Sequence, residues 1–219
     1  MLKEKQLFAR ILLYIVGLLV LAFGTSFVVN ANLGVTAVTS LPFVFSLITD
    51  INIGTVFTGM FIIFILLQIV LLRKEFKWIN LTQIIFSAIF GYFVNLAEFI
   101  VGDFVLPTYF GQLVMLGIGI FLVSLGIVIY MEAKLVSLPP EGLDEAIAHK
   151  IPKCEFYQAK IGKDSIMVIT SIALSFMFLG GLYGIREGTI IATILIGKLI
   201  SIISKLIAPI VTKFISFKP

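Results

Sequence analysis

Charge is scarce in this chain: 12 acidic and 16 basic side chains stand among 219 residues, 13% of the total, against 60% hydrophobic. A soluble domain carries roughly a quarter charged residues. No water-soluble fold hides this much apolar surface, so the composition excludes a soluble protein and indicates an integral membrane one. Cysteine is limited to Cys154, which excludes an intramolecular disulfide and any multi-cysteine metal site. Histidine is limited to His149, with no second His or Cys at metal spacing, so it is read as a solvated helix-face residue. A basic stripe with interleaved aromatics is also missing, so the net charge of +4 does not point to nucleic acid. G-x-S-x-G, H-E-x-x-H, P-loop and Rossmann patterns are absent. No catalytic residue, metal or cofactor is therefore expected, and the chain is read as non-enzymatic.

What is present is a series of long apolar runs. A span needs about 20 mostly apolar residues. Six stretches qualify: Ile11–Val29, Ile53–Leu72, Leu81–Val101, Gln112–Met131, Ser165–Tyr183 and Gly188–Ala208. The first run is too long for a signal peptide and is read as a retained span. The connections alternate in charge. Lys3, Lys5 and Arg10 precede the first span, and Asn30 to Asn52 has no Lys or Arg. Arg73, Lys74 and Lys77 follow the second span, and the loop around Gly102–Gly111 again has no base. Lys134, Lys150, Lys153, Lys160 and Lys163 follow the fourth span, only Arg186 follows the fifth, and the tail has Lys213 and Lys218. This alternation predicts cytoplasmic N- and C-termini in a multi-pass protein of the lipid bilayer.

The halves resemble each other. A shift of 102 places Gly17 on Gly119, Gly24 on Gly126, Ala31 on Ala133 and Leu33 on Leu135, so "ANLGV" lies over "AKLVS". A shift of 108 places "IGT" at Ile53–Thr55 over "IGK" at Ile161–Lys163, and a shift of 106 places Gly91 on Gly197. Each half reads as span, short broken segment, span, span. A three-span unit ends on the side opposite its start, so two in tandem must be inverted, an arrangement that recurs in secondary transporters. The expected fold is an all-α membrane protein of six transmembrane helices in two inverted three-helix repeats. Residues 1–105 and 106–219 form the repeats, each with a short broken or interfacial helix after its first span.

The run "ANLGVTAVTSLPFVFSLITDINIGT" resembles the first signature of the bacterial YczE/YyaS/YitT-like membrane proteins, and "AKLVSLPPEGLDEAIAHKI" resembles the second. Pro140, Gly142 and Leu143 match that second motif, while Val136 stands where the family has glycine. The resemblance implies a multi-pass protein of the bacterial cytoplasmic membrane, of duplicated origin. The roles suggested for such proteins are transport and, for some, regulation of antibiotic synthesis.

The two short segments carry the polar residues of interest. Gly34 permits a sharp turn after the first span, and the Thr36, Thr39 and Ser40 hydroxyls cap a helix expected from about Val38 to Ile48. In the second half Ser137, Pro139, Pro140 and Glu141 are helix-start signals. There Leu143, Ile147 and Ile151 form an apolar stripe, with Asp144, Glu145 and His149 facing elsewhere. Free N–H groups and the dipole at such starts favour an anionic group. Two readings stay open: interfacial helices closing the bundle ends, or segments dipping into a wet cavity.

Within the spans, Asn95 and Glu98 share a stripe with Gly91 and Gly102 that should face the bundle. A carboxylate in a span costs about 3 kcal/mol or more unless paired or hydrated, and Glu98 lies near enough to an end to snorkel. Lys198 is central in "GTIIATILIGKLISIISKLI", so a partner carboxylate, Glu98 or Glu132, or a wet cavity is expected for it. The G-x-x-x-G at Gly180–Gly184 reads as close packing, or as a homodimer contact.

The candidate substrate-binding set is thus Asn30, Asn32, Thr36, Thr39, Asn95, Glu98, Glu132, Ser137, Glu141 and Lys198. Two functions fit. The first is a secondary carrier of a small polar or amphipathic solute. The second is a non-enzymatic regulator that docks a cytoplasmic biosynthetic enzyme through Glu141, Asp144 and Glu145.

Overall fold

A computed structural model describes residues 2–154 and 156–215; Lys218, counted above with the basic tail, lies outside them. Eight α-helices follow in order: α1 (Leu2–Asn30), α2 (Ala37–Thr49), α3 (Ile53–Leu72), α4 (Gln83–Val101), α5 (Tyr109–Glu132), α6 (Pro139–Lys150), α7 (Phe156–Leu179) and α8 (Glu187–Ile215). Two short 3-10 turns, Arg73–Glu75 and Trp78–Thr82, join α3 to α4. Six helices, all but α2 and α6, are long and apolar enough to cross a membrane. The described residues include no strand. Large side chains such as Phe99, Phe110 and Leu206 stand on the outer surface, as lipid contact requires. The chain is an all-α multi-pass membrane protein.

The sequence marked α2 and α3 within a residue or two, because a polar break bounds each. The fifth span differs from expectation. It starts at Phe156 rather than Ser165 and ends at Leu179 rather than Tyr183. Its first turns hold Lys160, Lys163 and Asp164, which lower the hydropathy although Lys163 and Asp164 are buried. Gly180 and Gly184 have φ of 68° and 74°. They break the chain between α7 and α8, so the G-x-x-x-G is a turn and not a helix-packing motif.

The centre of the bundle is the crossing of α1 and α5, built on four glycines. A Cβ on Gly17 would stand 2.6 Å from the Tyr130 backbone nitrogen and 3.0 Å from the Gly126 carbonyl oxygen. One on Gly24 would stand 2.5 Å from the Val123 nitrogen and 3.0 Å from the Gly119 oxygen. Gly17 thus meets Gly126 and Gly24 meets Gly119, so the helices run antiparallel and their backbones touch. Outside this pair the packing recurs in both halves: α1 packs on α4 and α5 on α8, α2 on α7 and α6 on α3, α2 on α3 and α6 on α7. The most extensive pairing without a counterpart is the one that closes the first half. α3 packs closely on α4, where Gly54 meets Gly91, while α7 and α8 stand apart.

The short helices are seated by specific contacts. At one end Val35 N–H donates to the Gly184 carbonyl (2.7 Å), the Arg186 guanidinium to the Asn32 carbonyl (2.7 Å) and the Asn30 amide to the Gly102 carbonyl (2.6 Å). At the other end Tyr14 donates to the Val136 carbonyl (2.9 Å) and Gln68 to the Pro139 carbonyl (3.1 Å). His149 and Lys150 meet the Glu75 carboxylate there at 2.8 and 2.7 Å.

Candidate functional site

The N-terminal ends of α2 and α6 meet at a cavity of about 80 Å³ between the two halves. That is room for several water-sized groups. Thr36 and Thr39 line it from α2, and Leu138, Pro140 and Glu141 line it from the start of α6. Mid-span residues complete the wall, including Thr25 from α1, Phe57 and Phe61 from α3 and Thr193 from α8. The chamber is mostly apolar with a few convergent polar groups, the usual makeup of a small-molecule pocket.

Local sequence explains both ends. Thr36 is the N-cap of α2, where its hydroxyl accepts the Thr39 N–H at 3.2 Å and exchanges a 2.8 Å hydrogen bond with the Thr39 hydroxyl. Helix α6 starts at Pro139, whose missing N–H is not needed in a first turn. Its N-cap is Leu138, with no side-chain cap. The expectation that Ser137 caps this helix is corrected: its hydroxyl donates to Glu145 at 3.2 Å instead, and it lines a different groove.

A buried ionic cluster flanks the chamber. Lys163 Nζ donates to Asp144 Oδ2 at 2.8 Å and to the Pro140 carbonyl at 3.0 Å, and lies 3.6 Å from Asp164 Oδ1. Lys160, one turn earlier, pairs with Asp164 Oδ2 at 3.1 Å. These bonds pin α6 to α7. Burial pushes the Asp144 carboxyl up from 3.8 to about 6, with Lys163 pulling it down. Asp144 is 0% exposed, so its expected place on the solvated face of α6 is corrected. The first turn of α6 is buried on every side, and burial extends through Asp144.

Glu141 is the remaining charge. It is 9% exposed, and its Oε2 has no hydrogen-bond partner. Tyr14 and Tyr130 lie within electrostatic reach of it, and the Tyr130 hydroxyl, with no other partner among the described residues, faces the Glu141 carboxylate just short of full hydrogen-bond geometry. Three carboxylates, Glu141, Asp144 and Asp164, stand against two ammonium groups, Lys160 and Lys163, and both ammonium groups are engaged by the aspartates. Glu141 is the one acid of the three without an ion-pair partner among the described residues.

Of the ten candidate residues, Thr36, Thr39 and Glu141 line the chamber. Asn30 and Glu98 border a separate cavity between α1, α2 and α4. Asn95 Oδ1 accepts the Gly54 N–H at 2.9 Å, capping the start of α3. Asn32 is exposed with φ 56°, a turn residue whose carbonyl holds Arg186. Glu132 accepts a bond from Ser204 at 3.2 Å. Lys198 is exposed, with no partner among the described residues, which corrects both its place in the interior and its pairing with Glu98 or Glu132. Ala192, Ile196 and Ile203 form the buried stripe of α8. Two residues beyond Ile196 is about 200° around a helix, so Lys198 faces outward and its long stem carries the charge along the surface.

Thr25, Lys160, Asp164 and Thr193 were missed as chamber residues. The signal was available in the Lys160–Asp164 spacing of four, which places both on one helix face. Among the described residues no group of His, Cys, Asp and Glu converges as a metal ion would need.

The fold and chamber define a six-span, all-α membrane protein with a mostly apolar interior cavity that holds a few polar groups. The chain belongs to the DUF6198 family, a family of unknown function, whose model matches residues 8–205. No curated protein and no solved structure matches it.

Proposed function

We propose that the protein is a secondary carrier, not an enzyme, that binds a small organic cation with N–H donors in the chamber between its halves. The observation that carries this reading is the Glu141 carboxylate, buried at the chamber wall and in no ion pair among the described residues. A buried carboxylate of this kind is costly unless something pairs with it. An ammonium or guanidinium group would supply both a donor and a positive charge, where an anion would not.

The duplication belongs to the same proposal. The reciprocal contacts Gly17–Gly126 and Gly24–Gly119 exchange with each other under the 102-residue shift, as does each matched pair of helix packings. A twofold axis through the α1–α5 crossing, in the membrane plane, accounts for this. It brings both short helices to one interior site, as in inverted-repeat carriers. The end holding Glu75, Lys150 and the basic connections is then cytoplasmic. The likeness to the YczE/YyaS/YitT-like proteins supports a bacterial cytoplasmic membrane. The docking alternative loses Glu141 and Asp144, which are buried, and keeps only the exposed Glu145.

Radiolabelled guanidinium counterflow into proteoliposomes tests the reading. The wild type and the surface control Glu145→Gln should accumulate label against unlabelled guanidinium inside, and Glu141→Gln should lose at least nine-tenths of the uptake (about 1.4 kcal/mol per tenfold). Equal uptake by Glu141→Gln, or none by the wild type, would count against it.

A further inference from the structure

A second cavity, of about 400 Å³, lies between α7 and α8. Its walls are apolar, with Ile161, Val168 and Ile169 from α7 and Ile190 and Ile194 from α8. Ala37, Asp164 and Thr193 border this cavity and the central chamber alike. The two spaces are therefore neighbours across a polar threshold, with Asp164 at it.

The gap departs from the symmetry that relates α1–α4 to α5–α8, α2–α7 to α6–α3 and α2–α3 to α6–α7. In the first half Gly54 and Gly91 are in backbone contact and close α3 on α4. The residues aligned with them in the second half are Gly162 and Gly197. A Cβ on either would meet nothing within 4 Å. The same small residues that close one pair of helices leave the other pair open. Ile161, Ile169 and Ile190 at the opening are 59%, 66% and 67% exposed, so the mouth is as apolar as the lipid-facing surface around it.

Resting on the cation reading above, we infer that the α7–α8 gap is the second part of the solute site and that the solute is an amphipathic cation. Its charged group sits at Glu141, and its hydrocarbon chain passes Asp164 and lies in the gap, open to the bilayer. The charge argues for this occupant. A neutral or anionic lipid would bring hydrocarbon to the gap but nothing to pair with the Glu141 carboxylate at its inner end. A hydrocarbon chain gains free energy with each methylene it removes from water, a factor of up to about fourfold in affinity, for as long as the gap accommodates it.

Displacement of radiolabelled guanidinium from the purified full-length protein, by n-alkylguanidinium ions from methyl to octyl, reads this directly. In the wild type the displacing affinity should rise severalfold with each of the first few methylenes. Ser165→Trp on the α7 wall and Ile190→Trp on the α8 wall should each flatten that rise while leaving guanidinium itself bound as in the wild type. The unchanged guanidinium affinity serves as the control for folding, and two variants on opposite walls guard against the failure of one. A flat chain-length series in the wild type would overturn the inference, as would a rise that persists in both variants. Displacement by n-octanol as strong as by octylguanidinium would overturn it too, because the gap would then take lipid-like chains without regard to charge. Loss of guanidinium binding in Glu141→Gln belongs to the carrier reading and is scored separately from the chain-length result.

Discussion

Lys163 makes more of its surroundings than any other charged side chain near the chamber. It joins Asp144, Asp164 and the Pro140 carbonyl, and it is buried. Removing one partner of a buried pair typically costs about 3–5 kcal/mol. The cost here should depend on pH, through Asp144. Its folded value of about 6 lies above the ordinary 3.8, so the neutral acid is the form the fold prefers. The stability this group contributes is complete below the ordinary value and is lost as pH rises through about 6. Without Lys163 only the weaker pull of Lys160 lowers that value, and the loss extends to higher pH. Lys163→Met should therefore depress the Tm much more at pH 8 than at pH 5, where Asp144 is protonated and leaves no orphan charge. Thermal unfolding of both proteins across that range checks it, and a constant difference would contradict the pairing. Part of this was legible in the chain. A helix-start pattern pointed to Glu141, and hydroxyls after a span pointed to Thr36 and Thr39. Lys160, Lys163 and Asp164 were read as loop because hydropathy averages over a window and does not see that charges on one helix face neutralise one another. Lys198 failed for the opposite reason: its central position in the sequence said nothing about which way it faced.

At the scale of the elements, small residues decide which helices approach. The glycines of α1 and α5 were visible as a repeat, but their contacts with one another were not, because an alignment of halves does not say that the aligned helices touch. Gly24→Leu would drive a side chain into the Val123 backbone 2.5 Å away. Overpacking of this kind costs about 1–3 kcal/mol where the neighbour can shift, and backbone in a second helix shifts little. The variant should lose Tm and reach the membrane with the α1–α5 crossing loosened, measurable as faster proteolysis of the detergent-solubilised protein. Gly59→Leu, in a position where a Cβ meets nothing, should change neither. The start of α3 supplies a second test. Asn95 was singled out as a solute ligand, but it caps the Gly54 N–H. Asn95→Leu should then lower stability by about 1 kcal/mol, as loss of a cap does, and leave guanidinium affinity unchanged.

The whole molecule pairs a closed α3–α4 contact with an open α7–α8 gap. A carrier built from inverted repeats changes access by exchanging the arrangements of its halves, so the α7–α8 pair should close in the other state as α3–α4 does in this one. Gly162 faces open space, so Gly162→Trp fits the present arrangement and should keep guanidinium binding while abolishing counterflow. Retained counterflow would exclude closure at this point. The orientation has its own check in a Cys154→Ser background. A membrane-impermeant maleimide added outside cells should label Asp103→Cys and not Lys150→Cys, and the reverse would overturn the sidedness and the proposed direction of transport together. The six crossings and the two short helices could be read from the chain because the polar breaks between apolar runs are sharp. The chamber could be placed only roughly, since it depends on which helices of one half pack on those of the other. The central claim is that Glu141 holds a cation in that chamber, and equilibrium binding of radiolabelled guanidinium to the purified protein tests it most directly. Saturable binding of one ion per chain by the wild type, weakened at least tenfold in Glu141→Gln and unchanged in Glu145→Gln, is the result the account predicts; equal affinity in all three proteins would contradict it.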